Sequence, residues 1–453
     1  MKSTIRIGCG AGFSGDRLEP ALLLAEKGNL DYLVLECLAE RTIALANQRK
    51  MQDPRKGYDL LLERRMESLL PLLAQNKVRL ITNMGAANPV EGARKVMEIA
   101  QKLGLKVKVA AVSGDDLFSH LPSGGFNFDH FQIIDEDLPL VRNPVSPIRN
   151  QQVISANAYL GTEGILEALN QGADIVITGR VADPSLFLAP MMYAFGWASD
   201  NFDLMGKGTI IGHLLECAGQ VTGGYFADNY KKTVPGLASL GHPIAEIAAD
   251  GTSVISKVDG TGGIINLQTV KEQLLYEVLN PHEYITPDVV ADFTSVRLQQ
   301  TGENRVSVSG GSGKTRPANY KASVGYKAFF LGEGEISYAG HHALARAELA
   351  GSIVQERLKN IFSELRIDYI GLSSAHHTTF GAVPEPNEIR LRVAAKGETR
   401  EQAALVGEEV EALYTNGPAG GGGARKFVSE IIGIVSVLVD RNTFHPSVQI
   451  FES

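Results

Sequence analysis

The chain has 453 residues, enough for two or three domains with a sizeable core. Hydrophobic residues make up 44% and charged residues 21%, which excludes a mostly disordered chain, and no apolar run approaches the roughly 18–20 residues of a membrane span. Lys plus Arg number 43 against 51 Asp plus Glu, a net charge of −8, so the basic field of a dedicated nucleic-acid binder is absent.

Residues 4–7 read as a strand that opens into a glycine-rich turn, with a helix from about residue 17. A second strand is expected at 32–35, two helical stretches to about 76, a third strand at 78–82 and a helix at 90–103. A fourth strand at 107–112 is followed by a proline-rich, acidic excursion over 122–153. Strand 154–158, helix 162–170, strand 174–178 and helix 183–193 then restore the rhythm. Strands that are apolar throughout and separated by helices predict a mostly parallel sheet covered on both faces. A doubly wound, Rossmann-like sheet is the first expectation and a (β/α) barrel core the alternative. Residues 240–350 are less regular, with a helix at 266–278, and an α+β order begins near 364. The expected domains are therefore 1–240 (α/β), 241–360 (an irregular α+β extension) and 361–453 (a smaller C-terminal α+β domain).

In an open parallel sheet or a barrel, ligands bind beyond the carboxyl ends of the strands. Those positions here carry Ser14, Gly15, Asp16 and Arg17, then Glu36, then Asn83, then Ser113 and Asp115, then Asn157, then Arg180 and Asp183. Singly, each short polar residue is equally well a helix cap; as a set they point to a site for a polar ligand. Gly10, Gly12 and Gly15 match GxGxxG after a strand, so their backbone amides could cradle a phosphate or carboxylate, and Glu36 stands where a ribose-binding acid would. His213 and Glu216 fall on one helical face and could act as an acid/base pair. Asp16, Glu36, Asp183, His213 and Glu216 are thus the catalytic candidates. Gly10, Gly12, Ser14, Gly15, Arg17, Asn83, Ser113, Asp115, Asn157 and Arg180 are the substrate-binding candidates.

Other signals are weaker. The run Gly310-Gly-Ser-Gly-Lys314-Thr315 misses the P-loop spacing, because Val308 holds the place of the first glycine. A further glycine loop, 416–426, carries Arg425 and Lys426 and reads as an anion cradle or a hinge. There is no GxSxG elbow and no HExxH pair, so neither a standard α/β-hydrolase nor a metal site is expected. The three cysteines Cys9, Cys37 and Cys217 form no CxxC pair, which fits a reducing, cytoplasmic setting, and no signal peptide is seen.

Several strings together resemble the acyclic terpene utilisation (AtuA) family. They include Gly10-Ala-Gly-Phe-Ser-Gly-Asp-Arg17, Thr82-Asn-Met-Gly-Ala-Ala-Asn-Pro89 and Thr178-Gly-Arg-Val-Ala-Asp183. They continue with His213-Leu-Leu-Glu-Cys-Ala-Gly-Gln-Val-Thr-Gly-Gly224, Gly241-His-Pro-Ile-Ala-Glu246 and Gly417-Pro-Ala-Gly-Gly-Gly-Gly423, so the likeness spans nearly the whole chain. Longer members carry an additional ferredoxin-like domain with an SGDKG-type motif; this sequence lacks the motif and resembles the short form. The resemblance implies catabolism of branched terpenoid acids as CoA thioesters and supplies no residue roles.

Taken together, the sequence reads as an enzyme acting on a branched carboxylate or acyl-CoA thioester, of hydratase, lyase or hydrolase type. No cofactor is expected beyond CoA as part of the substrate. The expected partners are a small-molecule substrate and further copies of the chain in a homo-oligomer, with no nucleic acid and no membrane. Two alternatives stay open: a non-catalytic scaffold or activator subunit of an acyl-CoA-metabolising complex, and a nucleotide-dependent oxidoreductase using NAD.

Overall fold

Strands that are apolar at every position need cover on both faces, and Tyr32–Leu35 has it, with all four residues buried. The structure is a computed structural model that describes residues 3–120, 126–134, 152–376, 378 and 385–452. It divides into two units. The larger holds the described residues of Met1–Arg149, Val153–Gly325 and Ile434–Ser453, and the smaller those of Asn150–Gln152 and Tyr326–Gly433.

The larger unit begins β1 (Thr4–Ala11), α1 (Glu19–Lys27), β2 (Tyr32–Leu35), α2 (Glu40–Gln52), α3 (Leu62–Asn76), β3 (Arg79–Thr82), α4 (Pro89–Lys102) and β4 (Lys108–Ser113). It continues β5 (Gln132–Ile133), β6 (Val153–Ala158), α5 (Glu163–Asn170), β7 (Ile175–Thr178), α6 (Ser185–Phe195) and α7 (Phe202–Glu216). Then come β8 (Pro243–Ala248), β9 (Ser253–Lys257), α8 (Leu267–Leu275), β10 (Tyr284–Ile285), β11 (Val290–Asp292), β12 (Arg297–Gly302), β13 (Arg305–Ser309) and β14 (Ser312–Lys314). The chain runs on through β15 (Asn319–Ala339), α9 (Ala343–Leu358), β16 (Leu365–Ile370), β17 (Glu388–Gly397), α10 (Arg400–Asn416), β18 (Gly422–Asp440) and β19 (Ser447–Glu452).

The main sheet has 10 strands in the order β12-β13-β9-β8-β1-β2-β3-β7-β4-β19. Only the run β1-β2-β3-β7-β4 is parallel; β8, β9, β13 and β12 extend it antiparallel on one side and β19 on the other. The Rossmann-like expectation therefore holds for the parallel core alone. The ten strands form an open path rather than a closed barrel.

The antiparallel wing comes from local hairpins inside the region that read as irregular. Gly251 (φ 80°) turns β8 into β9, and Asn304 (φ 52°) turns β12 into β13. These turns need left-handed backbone, which glycine and asparagine supply most readily. The GGSGKT run is the Gly310-Gly311 turn after β13 followed by β14 itself, with Lys314 paired at 3.6 Å to Glu283, and not a phosphate loop.

Helices cover both faces of the parallel core. Leu24, Leu62, Met66, Leu69 and Val96 from α1, α3 and α4 form one buried layer. Ile165, Phe187, Met191, Ile210 and Leu214 from α5, α6 and α7 form the other. In β1, Ile5, Ile7 and Cys9 face this second layer. Gly10 faces the opposite way, where a Cβ would stand 2.8 Å from Ala21 Cβ and 2.7 Å from Leu35 Cδ2. Close approach of α1 thus explains this glycine. Truncating a fully buried side chain such as Phe187 to Ala would cost about 3–5 kcal/mol.

In the smaller unit β15 pairs with β17 and β17 with β16, all antiparallel, and α9 and α10 pack on them around Ile336, Tyr338, Leu391, Val393, Val406 and Val410. Gly332 is bare because a Cβ there would meet the Ala403 carbonyl of α10 at 1.9 Å. In the 416–426 loop, Lys426 is occupied by Glu411 at 2.5 Å. The described residues of 241–325 and 434–453 lie within the larger unit. The excursion expected over 122–153 lies mostly outside the described residues. No helix among the described residues is long and apolar enough to cross a membrane.

Candidate functional site

A cleft of about 830 Å³ opens in the larger unit at the carboxyl ends of β1, β2, β6 and β7. Gly12 and Asp16 reach it from β1, Glu36 and Glu40 from β2, Tyr159 from β6, and Arg180 and Asp183 from β7. Glu216 and Cys217 enter from the end of α7, and Glu277 from the loop after α8. This is the edge at which a parallel sheet presents its loops, so the strand-end argument finds the cleft for a topological reason.

Arg180 is the centre of the site. Its side chain is only 2% exposed, and its guanidinium lies 4.0 Å from the centroid of the Tyr159 ring. It donates to the Leu38 carbonyl and forms an ion pair with Asp183 at 3.3 Å. Burial disfavours the charge, but Tyr159, Asp183, Glu40 and Glu36 more than offset it and raise the Arg180 pKa. Tyr159 donates its hydroxyl to Glu40. Burial pushes the Glu40 carboxyl up, yet the Arg180 charge and that hydrogen bond win and hold it at about 2.

Glu36, Asp183 and Glu216 behave oppositely. Burial drives Glu36 well above its ordinary value, with the Asp183 charge adding to the effect and a hydrogen bond from Asn83 opposing it. Burial lifts Asp183 to about 7 despite the opposing Arg180 charge, and its side chain remains 33% open to the cleft. Glu216 is raised by burial against the pull of His213, whose Nδ1 sits 2.8 Å from Glu216 Oε1. Among the described side chains, Arg180 Nε, Asp183 Oδ1, Glu216 Oε2 and His242 Nδ1 are buried and make no hydrogen bond. Buried polar atoms are normally satisfied, so four such atoms around one cleft mark a place for a polar ligand.

Of the sequence candidates, Gly12, Ser14, Gly15, Asp16, Glu36, Arg180, Asp183 and Glu216 line the cleft. The glycine turn serves a different purpose, however. The Gly12 amide donates to Asp16 Oδ2 at 3.0 Å, so the chain's own carboxylate occupies the amide offered to an anion. Gly12 is bare because a Cβ would lie 2.6 Å from the Cys217 carbonyl carbon. Gly10 lies inside β1 and does not reach the cleft. Ser14 donates to Asp59 at 2.6 Å, and Arg17 is exposed and bound to the Leu237 and Ala238 carbonyls.

Other candidates stand behind the wall. Asn83 donates to Glu36 at 3.0 Å and accepts from the Cys37 amide at 2.7 Å. Asp115 accepts from the Arg180 amide at 3.1 Å and from Asn157 at 2.8 Å. His213 touches Tyr284 and Phe293 rings and reaches the cleft only through Glu216. Ser113 belongs to β4, paired with Ser447, and does not line the cleft.

The sequence reading passed over Tyr159, Glu277, His242, Cys217 and Arg65. Arg65 donates to the Ser14 and Asp16 carbonyls at 2.8 and 2.9 Å and to Cys37 Sγ at 2.9 Å, which fixes the turn after β1. It sits in the first turn of α3, where no local pattern marks it. Glu277 carried a signal only in retrospect, as a non-glycine residue with φ 59°. Burial keeps the thiols of Cys37 and Cys217 well above their ordinary pKa. Among the described residues no group of three His, Cys, Asp or Glu side chains is placed to hold a metal ion.

Comparison with curated proteins and with solved structures gave no match. The family model described as acyclic terpene utilisation family protein AtuA matches residues 5–450, so the chain belongs to the AtuA family.

Proposed function

We propose that the chain is an acid–base enzyme acting on a branched carboxylic acid or its CoA thioester, of hydratase or lyase type. The observation that carries this reading is one buried cation, Arg180, set among Glu36, Asp183 and Glu216, carboxyls that resist ionisation. Arg180 is suited to the negative charge of a carboxylate, or to the charge that develops on a thioester oxygen. Two carboxyls with pKa values pushed apart can divide the roles of acid and base. Burial holds the Glu36 carboxyl well above its ordinary value, which suits the acid, whereas Asp183, lifted to about 7, suits the base.

For an α,β-unsaturated acyl group, Asp183 takes a proton from water and the water oxygen bonds to the β-carbon. The electron pair of the double bond shifts toward the α-carbon, with charge held on the carbonyl oxygen by Arg180, and Glu36 delivers its proton to the α-carbon. Run backwards, the same steps expel water. Hydrolysis through a covalent enzyme intermediate has less support, because the thiols at Cys37 and Cys217 are held protonated and Ser14 is bound to Asp59. A purely non-catalytic scaffold is disfavoured by the buried polar atoms around the cleft that make no hydrogen bond among the described residues.

The test is turnover of α,β-unsaturated acyl-CoA thioesters and the free acids, followed by loss of the conjugated absorbance. Asp183→Asn and Glu36→Gln should each lower the rate by about 10²–10⁴-fold. No turnover across the panel, together with ligand-induced melting shifts that neither variant alters, would overturn the reading.

A further inference from the structure

A second cavity of about 520 Å³ adjoins the cleft, and Tyr159 and Asp183 line both. Its character is different. Tyr284, Ile285, Pro287, Pro317, Tyr320 and Leu438 give it a mainly apolar lining, and among the described residues no carboxyl other than Asp183 borders it. Its walls are held in place by one side chain. Arg441 donates to the Pro287 carbonyl at 2.9 Å and the Pro317 carbonyl at 3.1 Å while its guanidinium lies 4.4 Å from the centroid of the Tyr320 ring. Prolines with fixed backbone, pinned through their carbonyls, make a preformed cavity rather than one that must open.

We infer that this cavity is the subsite for the aliphatic chain of a substrate whose acidic or thioester head lies at Arg180; the inference rests on the acid–base reading of the cleft. Three features favour this occupant. The cavity begins at the Arg180 partner Asp183, so a ligand held by its head at Arg180 meets apolar wall on the far side of Asp183 and Tyr159. The single cation on the wall among the described residues, Lys321, is turned to the boundary, 5.0 Å from the Tyr159 ring centroid and 3.5 Å from Glu40 Oε1. The described lining beyond it carries no free charge. The boundary residue Tyr159 is fixed by Glu40 below and by cations of Arg180 and Lys321 against its ring, so it divides a polar chamber from an apolar one at a set position. The substrate class is therefore an amphipathic acid or thioester with a hydrocarbon tail, and Ile285 and Ala318, at the open side of the cavity, set how long a tail is accepted.

The experiment is calorimetric titration of the whole protein with straight-chain carboxylates from butanoate to decanoate. Affinity should rise roughly three- to fourfold per added methylene until the cavity is full. Ala318 is exposed at the rim, so Ala318→Trp should fold normally and narrow the cavity; it should cut decanoate affinity at least tenfold and leave butanoate unchanged. Ile285→Ala, also at an exposed position, should weaken the long acids alone by a smaller factor. Binding that depends on Arg180 but not on chain length would overturn the subsite and leave the acid–base cleft standing. Length-dependent binding indifferent to Arg180→Gln would instead overturn the cleft as the place of the head group. Free CoA displacing decanoate without itself being affected by Arg180→Gln would show that the pantetheine arm occupies the cavity, which also overturns the proposal, as would no binding by any acid at millimolar concentration.

Discussion

Arg180 lies 4.0 Å from the centroid of the Tyr159 ring, in a site where its own side chain is only 2% exposed. The stack fixes a planar cation that must also satisfy Asp183, and the flat guanidinium rather than its charge alone is what the geometry uses. Arg180→Lys should therefore not rescue function. It keeps the charge but loses the fork and the stack, and turnover should drop at least 100-fold. Arg180→Gln leaves buried carboxyls uncompensated and should destabilise the fold by about 3–5 kcal/mol. Denaturant unfolding of both variants beside the turnover assay checks this; a fully active Lys variant would refute it.

Asp183 offers a pH signature. Its folded pKa, about 7, lies above the ordinary carboxylate value of 3.8, so the folded state binds the extra proton and stability falls as pH rises from about 4 to 7. Asp183→Asn removes that loss. The variant should melt higher than wild type at pH 8, with the gap shrinking toward pH 4, while its rate no longer climbs through neutrality. Melting curves at several pH values, paired with a pH–rate profile, separate the two effects.

Asp115 should show the same sign without the activity term. Burial raises it to about 6 from 3.8, so it costs stability as pH rises from about 4 to 6, by up to about 3 kcal/mol. Asp115→Asn can still accept from Asn157 and the Arg180 amide through its carbonyl. The variant should flatten that part of the stability curve, and an unchanged slope would count against the raised pKa.

Gly12→Ala probes the contact between the first turn and α7. The added methyl would lie 2.6 Å from the Cys217 carbonyl carbon, backbone that cannot rotate away. We expect a loss of about 1–3 kcal/mol in unfolding free energy, and a larger proportional loss of turnover because Asp16 and Cys217 both line the cleft. Wild-type stability in the variant would mean that the turn and the helix end are not packed as described.

Thiol chemistry gives a test without mutation. Cys37 and Cys217 line the cleft, but burial holds both as thiols. Iodoacetamide at pH 8 should modify them far more slowly in the native protein than in urea, as read by mass spectrometry. Rapid native alkylation of either would reopen the covalent reading.

How much of this could be read from the chain depends on the range of the interaction. The parallel strands, their helices and the polar residues at their carboxyl ends follow from short-range pattern, because an apolar run bounded by turn residues has few other ways to be buried. That is enough to name Asp16, Glu36, Arg180 and Asp183, while Glu216 follows from its i,i+3 spacing to His213 on a helix. The antiparallel wing escaped because its hairpin turns, at Gly251 and Asn304, lie among strands too short and mixed for a periodic signal. Gly10 and Gly12 matched a motif, yet what they serve is the approach of Ala21 and Cys217, contacts set by distant elements.

The sequence by itself thus determined the family, the parallel core and the edge on which the cleft opens, since periodicity and strand direction are local properties that accumulate along the chain. Only the tertiary structure decided which carboxyls keep their protons. A pKa depends on burial and on charges brought together from far apart, and so Glu40 is held ionised by Arg180 while Glu36, four residues earlier, is driven the other way by burial and by Asp183.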